Sequence, residues 1–107
     1  MNTILETKSG QPTPSLYSAK SMTKPVHFYC QAPAAQCVCL IGDFNGWDPQ
    51  SHPMRRRPDG WWDIELPFPH GHHAYLFLVD GVLKLDPRSS GTVAVQHFAK
   101  ASVITVS

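Results

Sequence analysis

The side chains with the most chemical reach gather around one loop. Gly42-Asp43-Phe44-Asn45-Gly46-Trp47-Asp48-Pro49 follows the apolar run Cys37-Val38-Cys39-Leu40-Ile41. Asn45-Gly46 is a turn dipeptide, since both residues tolerate positive φ at little steric cost. Asp48-Pro49 stops regular structure just beyond. Between these breaks Trp47 falls outside strand alternation, so its indole is expected on a loop beside a sheet. A rigid ring held there stacks on a flat apolar surface, such as a sugar face or another protein, and brings an N–H donor. One stacked ring supplies about 1–3 kcal/mol, judged by aromatic platforms that stack bases, so a solitary platform binds weakly.

Other reactive residue types lead less far. His70, His72, His73, His97 and the cysteines form no four-ligand set with zinc-like spacing, and Cys37-x-Cys39 lacks a partner pair. No metal and no cofactor is expected. Asp63 and Glu65 share strand parity and read as one solvent face, where two carboxylates have no reason to separate into an acid and a base. With no nucleophile beside an evident base and no phosphate loop, catalysis finds no support. Arg55-Arg56-Arg57 reads as a solvated edge that blocks strand-to-strand association. Trp61 and Trp62 are neighbours in one strand and must face opposite ways. Trp62 shares parity with Ile64 and Leu66 and belongs to the core. Trp61 points outward, either as a second binding ring or covered by Arg55–Arg57 or the N-terminal arm through a cation–π contact.

The elements that must position these residues are strands. Val26, Phe28 and Cys30 alternate with His27, Tyr29 and Gln31, the pattern of a half-buried strand. Further strands are expected at 36–41, 61–66, 72–79, 82–85 and 101–106, with a short edge piece between Pro53 and Pro58 and an ambiguous stretch at 92–98. Asp59-Gly60 and Asp80-Gly81 are turn signals, and Asp80-Gly81 is the clearest hairpin of the chain. Both faces of 75–79 are apolar, so one faces the core and the other needs a cover: the arm with Leu16-Tyr17, a second subunit or a ligand. Strand-sized runs separated by turns every 8–12 residues predict an all-β sandwich. The chain of 107 residues suits one domain. Residues 1–24 read as a flexible N-terminal arm, with Leu16-Tyr17 able to dock, and 25–107 as the folded domain. Nine Lys and Arg against eight Asp and Glu leave a net charge of +1, which draws the chain to neither nucleic acid nor membrane. Three cysteines, an odd number, with no signal-like or membrane-length apolar run, point to a reducing cytoplasm.

These motifs, in this order, resemble a known family. Gly42-Asp43-Phe44-Asn45-Gly46-Trp47, Asp59-Gly60-x-Trp62, Pro69-x-Gly71-x-His73-x-Tyr75-x-Phe77-x-Val79-Asp80-Gly81 and Asp86-Pro87 are similar to the glycogen-binding domain. That domain is the early-set, immunoglobulin-like sandwich found ahead of glycogen branching and debranching enzymes and in the β subunit of AMP-activated protein kinase. The whole chain further resembles small stand-alone bacterial proteins of this type without an enzyme domain. The resemblance implies a non-catalytic carbohydrate-binding module for α-glucan. In the family, two tryptophans stack on successive sugar rings while a lysine and an asparagine bond to hydroxyls. Trp47 matches the first tryptophan. Leu76 stands at the lysine position, Leu83 at the second tryptophan, and Ala94 or Ala101 at the asparagine. Lys84, beside Leu83, and Trp61 are the expected helpers to Trp47. The alternative is a protein-interaction or regulatory module that offers the Trp47, Leu76 and Leu83 face to a partner protein or to a second copy.

Overall fold

The structure, a computed structural model, describes residues 23–96 and 98–107. Apart from Thr23 and Lys24, the expected N-terminal arm lies outside the described residues, as does His97. Among the described residues eight strands form two facing sheets: β1 (Lys24–Gln31), β2 (Val38–Gly42), β3 (Arg55–Arg56), β4 (Trp61–Phe68), β5 (Gly71–Val79), β6 (Val82–Lys84), β7 (Gly91–Val95) and β8 (Phe98–Val106). The smaller sheet runs β1-β4-β3, and the larger runs β2-β5-β8-β7. One side of β5 pairs with β2 from Tyr75 to Val79. Its other side pairs with β8 from Gly71 to Tyr75 and with β6 from Phe77 to Val79. The all-β, immunoglobulin-like sandwich expected from the sequence is the fold observed.

Period-two patterning sets which face each residue takes. On β1 and β4, Phe28, Cys30, Trp62 and Phe68 turn inward to meet Leu40, Tyr75, Phe77 and Val79 of the larger sheet, and all are buried. The indole N–H of Trp62 donates to the Ala32 carbonyl at 2.9 Å, so the largest core ring keeps its polar atom satisfied. Asp80 (φ 49°) and Gly81 (φ 84°) make the expected two-residue hairpin between β5 and β6. The Asp80 carboxylate also accepts from the backbone N–H groups of Gln36 and Cys37 at 3.0 and 2.9 Å, which ties the hairpin to the start of β2. The ambiguous stretch resolves into β7 and the start of β8, whose pairing slips register between Val93 and Val95.

One expectation is overturned on the outward face of the smaller sheet. Asp63 does not lie in solvent with Glu65; it is buried, at 3% exposure. The cover is charged rather than apolar. Arg55 donates to the carboxylate from Nε at 3.2 Å and from Nη2 at 3.3 Å, His27 Nε2 lies at 3.1 Å, and Arg57 Nη1 lies at 3.6 Å. The basic run is therefore a lid on one carboxylate as well as an edge. Burial would raise the Asp63 pKa, but the hydrogen bonds and charges of Arg55 and His27 outweigh it and hold the carboxyl below its ordinary value. A carboxyl depressed by folding stabilises the fold above its unfolded pKa of about 3.9 and loses that contribution as pH falls through the folded value. In urea titrations from pH 7 to pH 2, the native protein should therefore lose more stability below about pH 4 than Asp63→Asn does.

Candidate functional site

The loop after β2 is built to fix one ring. Gly42 ends the strand, and Asp43–Asn45 form a single 3₁₀ turn. Asp43 accepts the Ala74 N–H at 3.2 Å, anchoring the turn to β5. Phe44 tucks inward, edge-on to Phe68 at 4.9 Å between ring centroids. Asn45 spends its whole amide on the loop: Oδ1 accepts the Gly42 N–H at 3.0 Å, while Nδ2 donates to the Leu40 carbonyl at 3.2 Å and to His52 Nδ1 at 2.9 Å. The positive φ angles expected at Asn45-Gly46 fall one residue later, on Gly46 (66°) and Trp47 (60°). A left-handed conformation costs a side-chain-bearing residue about 1–2 kcal/mol. Here the Trp47 N–H to Gly42 carbonyl bond at 2.9 Å closes the loop and holds Trp47 in that conformation. Asn45→Ala removes three hydrogen bonds at once and should cost about 2–3 kcal/mol in urea unfolding, with Trp47 fluorescence shifting toward that of an exposed indole.

Trp47 thus reaches the outer face of the larger sheet. It is half-buried and packs on Ile41, Ala74, Leu76 and Ala101, with its ring 5.0 Å from Phe98 at a 49° tilt. The cover required by the apolar outer face of β5 comes from the chain itself, through Trp47, Val95 and Phe98. Beside Phe98 an open groove of about 540 Å³ runs along Leu76, Leu83, Leu85, Ala99 and Lys100. Its walls are apolar, and Lys100 places a cation at the rim. Of the two positions considered for the family's asparagine, Ala101 packs with Leu76 under Trp47, whereas Ala94 lies exposed on β7.

Trp61 and Lys84 are elsewhere. In register Lys84 stands opposite Phe77, on the inward-facing parity of β6, while Leu83 stands opposite Leu78 on the outer one. Lys84 therefore leans over the flank of the sandwich, where it lines a second pocket of about 390 Å³ together with Trp61, Tyr29 and Arg88. Arg88, not Arg55–Arg57, covers Trp61: its guanidinium lies 5.5 Å from the Trp61 ring and 5.2 Å from the Tyr29 ring. Leu85 lines both pockets and separates them. The three residues singled out from sequence thus divide, with Trp47 on one face and Trp61 with Lys84 on the flank.

Residues 16–89 match the family model described as carbohydrate-binding module 48, the isoamylase N-terminal domain. The chain belongs to this family. Among curated proteins it is similar to 1,4-alpha-glucan branching enzymes. The enzyme of Novosphingobium aromaticivorans is 46% identical over 69 residues, which cover 58% of this chain and 10% of the enzyme. One from Xanthomonas campestris pv. campestris is 45% identical over 67 residues, 58% of this chain and 9% of the enzyme. That of Burkholderia lata is 54% identical over 46 residues, 42% of this chain and 6% of the enzyme. The chain thus spans about a tenth or less of the length of these relatives, and the match falls on the non-catalytic module. Among the described residues no group of three or more His, Cys, Asp or Glu is placed to hold a metal ion, and no helix is long and apolar enough to cross a membrane.

Trp47, Leu76, Leu83 and Ala101 fall on the outer face of the larger sheet. Sequence reasoning missed Phe98, which forms the wall between Trp47 and the groove. The register slip at Val93/Val95 breaks the alternation that would have placed it. Arg88 was missed as the cover of Trp61 because it reaches that ring from a loop of the opposite sheet, a contact invisible to local patterning.

Proposed function

We propose that this module binds α-glucan non-catalytically on the outer face of the larger sheet. Trp47 and Phe98 take the apolar faces of glucose rings, and Lys100 and the Trp47 indole N–H supply polar contacts. The observation that carries this reading is the pair of tilted aromatic rings beside an open groove, with Trp47 locked in place by the Asn45 clamp. Leucine at positions 76 and 83 and alanine at 94 or 101 stand where the family resemblance implies a lysine, a second stacking ring and an asparagine. Affinity is accordingly in the millimolar range, about 4 kcal/mol of binding. Trp61 and Lys84 lie on the flank and contribute little to this face. The same reading places the protein in the cytoplasm, where Cys30, Cys37 and Cys39, all unpaired, stay reduced.

The test is a titration with maltoheptaose followed by tryptophan fluorescence and amide chemical shifts. Saturable changes that centre on Trp47 and Phe98 and vanish in Trp47→Ala are expected. A flat response from the folded protein refutes the proposal. One observation favours a second reading. Val82, Leu83, Leu85 and Val93 are each at least 42% exposed, and Leu83 and Leu85 line the same groove. Apolar surface of that kind also suits a protein partner or a second copy of this chain. A dimer by light scattering that dissociates in Leu83→Asp, with no response to sugar, would support that reading over the first.

A further inference from the structure

The flank pocket does not belong to the proposed glucan face, and its chemistry differs. Its walls are aromatic and aliphatic, from Trp61, Tyr29, Phe77 and Leu85, and two cations border it, Lys84 and Arg88. Among the described residues neither cation has a carboxylate within ion-pair distance; the ion pairs found elsewhere involve His27, Arg55 and Arg57. The carboxylate that does line the pocket, Asp86, is already committed. Its Oδ2 accepts the Tyr75 hydroxyl at 2.6 Å and its Oδ1 accepts the Arg88 N–H at 2.9 Å, while its own N–H donates to the buried Ser102 hydroxyl at 2.8 Å. These bonds fix the Asp86-Pro87-Arg88 corner, so the Arg88 wall is held by the core rather than left to a free loop.

A volume of about 390 Å³ lies in the range of small-molecule sites. A ring-sized ligand with an anionic group satisfies both parts of the lining: the apolar body lies against Trp61 and the exposed Leu85, and the anion meets Lys84 and Arg88. Arginine and lysine are suited to phosphate, the first as a planar fork and the second as a point charge. We propose that this flank pocket binds a sugar phosphate, with the phosphate between Lys84 and Arg88 and the sugar face toward Trp61. The site is independent of the Trp47 face, and so is its test.

The experiment titrates the full chain with glucose 6-phosphate and glucose 1-phosphate, with glucose and inorganic phosphate as controls, following amide shifts at Trp61, Lys84 and Arg88. Saturable shifts at these residues with either sugar phosphate are expected, with glucose and inorganic phosphate each at least fivefold weaker. Lys84→Ala, on an exposed strand position, should weaken the sugar phosphate about tenfold, the loss of one charge-assisted hydrogen bond. Trp47→Ala should leave it unchanged. Absence of shifts with both sugar phosphates overturns the proposal. Equal binding of inorganic phosphate overturns the role of the ring, and equal binding of glucose overturns the role of the cations. An unaltered response in a Lys84→Ala variant with a native melting curve also overturns it. None of these outcomes bears on maltoheptaose binding at Trp47.

Discussion

Gly42→Ala should destabilise the protein by about 3 kcal/mol or more, as expected for overpacking with no room to relax. The reason is not backbone freedom, since Gly42 is fully extended at φ −173°, a conformation open to any residue. The reason is close approach. A Cβ at this position would stand 2.3 Å from Phe44 Cε1 and 2.6 Å from the Ala74 carbonyl oxygen. The carbonyl belongs to the central strand β5, and the Phe44 ring is wedged against Phe68 and His52. Neither can retreat cheaply. If the Phe44 ring moves instead, the Asn45 clamp moves with it, and Trp47 loses its seat against Phe98. The variant should therefore show a lower urea midpoint and, at concentrations where it is still folded, a weakened glucan response. A midpoint within error of the native protein would mean that the loop is looser than its packing implies. Gly42→Ala thereby couples stability to site geometry, whereas Trp47→Ala removes the platform alone.

The site face was legible where the signal was local. Asp80-Gly81, Asp59-Gly60 and the stop at Asp48-Pro49 are consequences of which residues tolerate which backbone angles, and each turn appears where its dipeptide sits. The opposite facings of Trp61 and Trp62, and the doubly apolar β5, follow from period two alone. What could not be read depends on contacts between distant segments. Asp63 alternates with core residues and carries a charge, so local patterning assigns it to solvent. Only the pairing of Tyr29 with Asp63 and Arg55 with Asp63 across three strands brings His27 and the arginines around it. Lys84 is the neighbour of Leu83, and adjacency in a strand means opposite faces. That same parity, applied to β6, sends Lys84 to the flank.

The division between face and flank changes what the fold can offer. In a sandwich the outer face of one sheet and the open side between the sheets are different environments: the first is broad and shallow, the second is walled by strand edges. Here the first carries Trp47, Phe98 and exposed leucines with few polar groups, and the second carries two cations, Lys84 and Arg88, that have no carboxylate in ion-pair distance among the described residues, beside aromatic walls. Leu85 at the border belongs to both. A ligand with hydroxyls alone fits the first better, whereas a charged one fits the second.

The adjacent tryptophans provide the sharpest contrast in expected stability. Trp62→Ala should cost about 3–5 kcal/mol, the usual loss for a buried aromatic ring. Trp62 is 5% exposed, packs among Phe28, Leu40 and Phe77 in the main core, and its N–H satisfies the Ala32 carbonyl. That bond also ties β4 to the connection between β1 and β2, and its loss leaves the Ala32 carbonyl with the Ala35 N–H alone, at 3.1 Å. Trp62→Phe keeps most of the apolar volume and gives up the bond, and should recover more than half of the loss. Trp61→Ala, one residue away, deletes a half-buried ring whose partner is the cation of Arg88. It should cost only about 1 kcal/mol, since a cation–π contact at a solvent-accessible site contributes about 0.5–1 kcal/mol. Urea unfolding of the three variants, followed by far-ultraviolet circular dichroism, measures all of these values in one series. Equal losses at positions 61 and 62 would mean that the flank is as tightly packed as the core, and that the pocket beside Trp61 closes in solution.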